Sequence, residues 1–117
     1  MTLSAVLPEG ETARLAALEE MLILDTAEEP VFDAIAALAA AICATPIALI
    51  SLVDRNRQWF KARVGLDVRE TPREVAFCAH AILNPEIMEV PDAASDPRFR
   101  DNPMVVDDPH IRFYAGR

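Results

Sequence analysis

Lysine is almost missing from this chain: of eleven basic residues in 117, ten are arginine and one, Lys61, is lysine. Against 19 acidic residues this leaves a formal charge of −8. Nucleic acid is thereby excluded as a main partner, because no basic stripe exists to displace backbone counterions. Scattered arginines suit carboxylate pairing or one small anion site better. Glycine is nearly as scarce, with only Gly10, Gly65 and Gly116, so a glycine-rich phosphate loop is excluded. No apolar run approaches the roughly 20 residues needed to cross a bilayer. Residues Met1–Gly10 lack the basic start of a secretory signal. The expectation is a cytoplasmic chain with no membrane partner. The two cysteines, Cys43 and Cys78, share no repeated spacing, which argues against a disulfide and for a reducing compartment.

What is present is a 52% hydrophobic chain, long enough for one domain with a core. Its organising stretch is Pro46–Gly65, which reads as two strands around the polar turn Asp54-Arg55-Asn56-Arg57. Ile47–Val53 is apolar on both alternating sets, apart from Ser51, and is expected to be a central strand covered on both sides. In Gln58–Val64, Phe60, Ala62 and Val64 alternate with Trp59, Lys61 and Arg63, as in a half-exposed strand nearer an edge.

Upstream, Glu11–Leu24 has Leu15, Leu18 and Leu22 at helical spacing. Thr26 and Glu29 then stand at capping-box spacing, with Pro30 in the first turn of a second helix running to about Ala44. That helix carries Phe32, Ile35, Leu38 and Ile42 on one face and is stopped by Thr45-Pro46. Downstream, Leu66–Val75 reads as a polar connection and Phe77–Leu83 as about two turns of helix ended by Asn84-Pro85. Ile87–Val90 reads as a short strand, Pro91–Asp108 as loop, and Ile111–Ala115 as a closing strand. The order predicts an α+β fold on an antiparallel sheet. Only one neighbour is visible for Ile47–Val53, so its open edge is expected to be filled by another copy of the chain.

Several phrases, in order, resemble a GAF domain, the small-molecule-binding module of bacterial sensor kinases, diguanylate cyclases and phosphodiesterases. They are Ile23–Thr26 with Phe32-Asp33, Pro46–Asp54, Arg57–Phe60, Glu70–Arg73, Phe77–Leu83, Asp92-Ala93, Asp96–Phe99, Asp101–Pro103 and Ile111–Gly116. The resemblance implies a GAF-like antiparallel sheet with helices packed on it. Relative to the family, the usual C-terminal strand or strands and helix are lacking. Residues 1–10 are expected to be an N-terminal extension and residues 11–117 the sensory domain. The implied function is non-catalytic signal transduction: an unidentified small molecule biases the N-terminal helix, in a homodimer, ahead of a covalently linked output domain such as that of a histidine kinase.

The resemblance places Phe77–Leu83 over the sheet as one wall of a pocket. The ligand-binding set it implies is Phe77, Cys78, His80, Asp92 and Phe113. Cys78 reads either as a redox-sensing or attachment thiol or as a buried small apolar residue. His80 reads either as a ligand-contacting group titrating near neutrality or as a structural histidine. Cys-x-His alone does not make a metal site, and no catalytic arrangement is evident. No cofactor is specified. The Asn-Lys-Phe-Asp-Glu signature of cyclic-nucleotide binders is absent, as are the bilin-attachment cysteine and the clustered cysteines of methionine sulfoxide reductases. Two alternatives remain: a ligand-free scaffold dimerising through Glu11–Leu24 and Ala34–Ala44, and a thiol redox sensor at Cys78.

Overall fold

A computed structural model describes residues 3–117. As expected, it is α+β with antiparallel sheets. The helices are α1 (Glu11–Glu20), α2 (Pro30–Cys43), α3 (Phe77–Ala81) and α4 (Pro103–Val106). The strands are β1 (Ala48–Val53), β2 (Arg57–Val64), β3 (Glu70–Pro72), β4 (Met88–Val90) and β5 (Tyr114–Gly116). They form a three-stranded sheet, β1-β2-β3, and a two-stranded one, β4-β5. The chain divides into two compact units, Thr12–Thr71 and the residues up to Glu11 together with Pro72–Arg117.

The hairpin forms as its pattern predicts. The Asp54 amide donates to the Arg57 carbonyl at 2.8 Å, closing the turn. Burial, however, is reversed. The second strand lies between its two neighbours and is the more buried, while the first is an edge strand, half-buried along most of its length. The reason is β3: residues read as a polar connection pair on the far side of β2, starting from the Phe60 amide's bond to the Arg69 carbonyl (3.0 Å). An apolar sequence marks a strand that can be covered, not one that is.

Alternation along β2 also breaks. Ile50 faces Ala62 but Ser51 faces Phe60, so Lys61 is an extra residue, a β-bulge. Opposed residues share a face and neighbours on β1 alternate, so Phe60 and Ala62 point to opposite faces rather than the same one. Gly65 ends the strand at φ +75°, and a Cβ there would collide with the Pro46 carbonyl oxygen.

Helix α1 stops at Glu20, four residues short of the expected end at Leu24, and Leu22 sits exposed at φ 51°. The capping box does not form. Glu29 is the N-cap of α2 without a side-chain bond, and Thr26 instead donates to the Ile23 carbonyl. Pro30 does open the helix, and Ala44 closes it in the left-handed region. The buried face of α2 centres on Ala36; Val31, Ile35, Leu38 and Ile42 are all more than half exposed. A methyl-sized side chain lets the helix lie close to β1 and β2, which decides the face against the larger residues.

In the other unit Phe77, Val90, Ala93, Phe99 and Val105 form the core, with Met88, Ile111 and Tyr114 packed against it. Phe77 and Phe99 stack at 4.1 Å with their planes 7° apart. Within the stretch read as loop, Asn102 caps α4: its Oδ1 accepts from the Met104 amide and its Nδ2 donates to the Val75 carbonyl at 2.8 Å. The last strand is shorter than Ile111–Ala115. The Ile111 amide bonds the Met104 carbonyl and the Arg112 carbonyl accepts from Ala93, which removes both from the ladder. Glu11 and Arg73 make a nearly buried ion pair at 2.6 Å.

Candidate functional site

Each unit contains a cleft. In the unit of α3 the cleft is about 320 Å³ and is lined by His80, Asn84, Glu86, Ile87, Met88 and Arg98, among others. Helix α3 presents His80 at its last turn, with the ring edge-on to Phe99 at 4.9 Å and Nε2 3.2 Å from the Leu3 carbonyl. Burial pushes its pKa below the ordinary 6.5, against the opposing pull of the Leu3 carbonyl. Arg98 is held in a two-pronged pair with Asp96, at 3.0 and 2.8 Å. The pair holds Asp96 below the usual carboxylate range and raises Arg98.

The other residues of the expected ligand set lie in different surroundings. Phe77 is in the core. The Cys78 thiol is 3.2 Å from the Tyr114 hydroxyl, and burial, then Cys78, pushes the tyrosine up. Asp92 caps the short turn Ala93–Ser95 by accepting from the Ala94 amide and the Ser95 hydroxyl. Phe113 is half exposed. Of the five, only His80 lines the cleft. Cys43 is exposed at the end of α2. Among the described residues no three His, Cys, Asp or Glu side chains come together as a metal site, and no helix is long and apolar enough to cross a membrane.

The second cleft, about 420 Å³, lies in the unit Thr12–Thr71, between the α1–α2 connector and the end of β2. Two cations of β2, Arg57 and Lys61, hold that connector, and a third, Arg63, faces it. Arg57 takes both oxygens of Asp25 at 2.8 Å and also reaches Asp54 and Glu70 at 3.0 Å. Those bonds raise Arg57 and, reciprocally, hold Asp25 below its ordinary value. Lys61 has no exposed side-chain surface, yet its ammonium meets the Thr26 hydroxyl (2.8 Å), the Ala27 carbonyl (2.6 Å) and the Glu29 carboxylate (2.6 Å). Three donors and three acceptors make the burial of this charge tolerable. Arg63 faces Glu28 at 3.9 Å, and Arg69 faces the same oxygen at 3.5 Å. Gln58 is buried nearby in β2. Its Nε2 donates to Thr71 at 3.3 Å, and its Oε1 has no partner among the described residues.

This constellation was not singled out from the sequence. The available signal was the chain's lone lysine within Gln58–Val64, a strand that reads as half-exposed; Glu28, Asp33, Asp67 and Arg69 carry no spacing that separates them from ordinary surface charge.

The GAF domain family matches residues 27–116. A cyclic di-GMP phosphodiesterase of Pseudomonas aeruginosa is 52% identical over 109 residues, which are 93% of this chain and 19% of that relative. The chain thus spans about a fifth of the length of the curated relative it matches. With the α+β architecture and the hairpin already described, the family match over most of the chain identifies it as a member of the GAF domain family.

Proposed function

We propose that the chain is a non-catalytic, cytoplasmic sensory domain of a bacterial signalling protein, with residues 11–117 as the sensory part and 1–10 as an extension. In this reading it binds a small molecule and regulates a covalently linked output domain. The observation that carries it is the relative in which the matching stretch is a fifth of a longer phosphodiesterase. A module that makes up a fifth of a longer phosphodiesterase supplies regulation more economically than a second chemistry. Occupancy alters output only if the ligand prefers one of two arrangements of the domain. His80 is the polar contact proposed on the α3 side, with Phe77, Cys78, Asp92 and Phe113 as the surrounding set. Native mass spectrometry after gentle purification tests the reading: a stoichiometric small adduct supports it, and repeated absence favours a ligand-free scaffold.

A second reading, self-association as a homodimer, is favoured by a specific observation. Val31, Ile35, Leu38 and Ile42 recur at intervals of four, three and four along α2 and are all exposed, in the same unit as the edge strand β1. Light scattering at rising concentration tests it, and a monomer throughout refutes it. A redox role for Cys78 predicts alkylation at neutral pH; an inert thiol ends that idea.

A further inference from the structure

The cleft beside β2 has two guanidinium groups and two carboxylates whose charges are not used up. The Nη2 atoms of Arg63 and Arg69 converge on one oxygen of Glu28, at 3.9 and 3.5 Å. Both separations exceed the roughly 2.7–3.2 Å of an N–H···O hydrogen bond. Glu28 is itself about half exposed, so it occupies the position loosely and can leave it. Asp33 and Asp67 also line the cleft, and their carboxylates make no hydrogen bond or ion pair among the described residues. Asp67 contributes only its main-chain carbonyl, which accepts from Arg63. Lys61 is not available to a ligand, since its three N–H groups already have three acceptors.

A polyanion is disfavoured here by Glu28, Asp33 and Asp67, and an apolar ligand by the charges of both signs. A small molecule carrying a carboxylate and an ammonium a few bonds apart satisfies both sets. We propose that this cleft binds a free α-amino acid or a close zwitterionic relative. Its carboxylate displaces Glu28 and takes the paired guanidiniums of Arg63 and Arg69. Its ammonium is received by Asp33 or Asp67. The volume of about 420 Å³ falls in the range of small-molecule sites, roughly 300–1,000 Å³. Glu28 lies between Ala27 and Glu29, both anchored by Lys61, so displacing it acts on the α1–α2 connector directly. The inference rests on the sensory reading and gives it a ligand class.

The test is amide-resolved NMR of the chain titrated separately with a pool of the twenty standard L-α-amino acids, with acetate and with inorganic phosphate. The pool is expected to give saturable shifts at residues 26–33 and 60–69, and the two simple anions none. R69Q, at an exposed side chain, and R63Q are each expected to weaken binding about tenfold, equivalent to ~1.4 kcal/mol. If R63Q fails to fold, R69Q carries the test alone. The proposal is overturned by no saturable shift with the pool, by acetate or phosphate binding as tightly at the same amides, or by binding indifferent to R69Q. Shifts confined to the His80 and Arg98 region, or a native-mass adduct that the pool does not reproduce, overturn this site or ligand class while leaving the sensory reading intact.

Discussion

Replacing Lys61 with methionine isolates what its ammonium contributes, because the substitution keeps most of the stem's volume and removes the charge. Three interactions are lost, to Thr26, Ala27 and Glu29. Hydrogen bonds to charged groups contribute roughly 1.5–3 kcal/mol each, but these share one nitrogen and do not add. Glu29 is about half exposed and regains water when its partner goes, so its share is discounted toward the surface range. Relief of the buried ammonium's desolvation offsets part of the remainder. The net expectation for K61M is a loss of about 2 kcal/mol. K61A also forfeits the buried methylenes, at ~0.8 kcal/mol each, and is expected to lose about 2 kcal/mol more. Urea unfolding followed by Trp59 fluorescence reads this directly, since the only tryptophan is buried two residues away in the same strand. K61M within about 0.5 kcal/mol of the parent refutes the reasoning, for packing of the stem in the bulge would then suffice.

Substituting Gly65 by alanine places a Cβ on the Pro46 carbonyl at a positive φ and is expected to cost more than about 2 kcal/mol in the same urea assay. The His80 ring is expected to titrate below 6.5 by NMR, because burial opposes its charged form. Its folded pKa is lowered, so the unfolded state takes up the proton first. Stability is therefore complete above about pH 6.5 and falls as pH drops through the interval to the folded value, a dependence that H80Q removes. Asp25 has its folded value depressed by the hydrogen bond from Arg57, and its contribution is present above the ordinary 3.8 and lost as pH falls through the lower folded value. D25N is expected to flatten that part of the acid-unfolding curve by lowering stability at neutral pH, and to match the parent at pH below the folded value; the loss is small because the carboxylate is exposed.

How much of this could be read from residue order depends on the scale of the determining contact. The hairpin was legible because Asp54–Arg57 and the flanking alternation are local. The side reached by each residue of β2 was not, because the bulge at Lys61 is fixed by pairing with Ser51 and Ile50 and no residue type announces it. Helix α2 was legible in extent, ending at Cys43 against an expected Ala44, but its buried face was misjudged. Leucine and isoleucine periodicity favoured one side, and close approach at Ala36 favoured another. Helix α1 ran past its true end in the pattern because Met21 and Leu22 continue the apolar spacing while lying exposed in a turn. The β2 cleft was invisible for a different reason: its charges come from the connector, from β2 and from the segment up to Arg69, and only folding assembles them.

The isolation of Lys61 also changes how the chain behaves toward amine-directed reagents. It carries the only side-chain amine in 117 residues, and that amine has no exposed surface. Acylation at this position must wait for residues 26–29 to lift from β2, so the labelling rate measures a local opening rather than intrinsic reactivity. A ligand that braces the connector would slow the label and one that frees it would hasten it, turning a single nitrogen into a clock for the segment between α1 and α2.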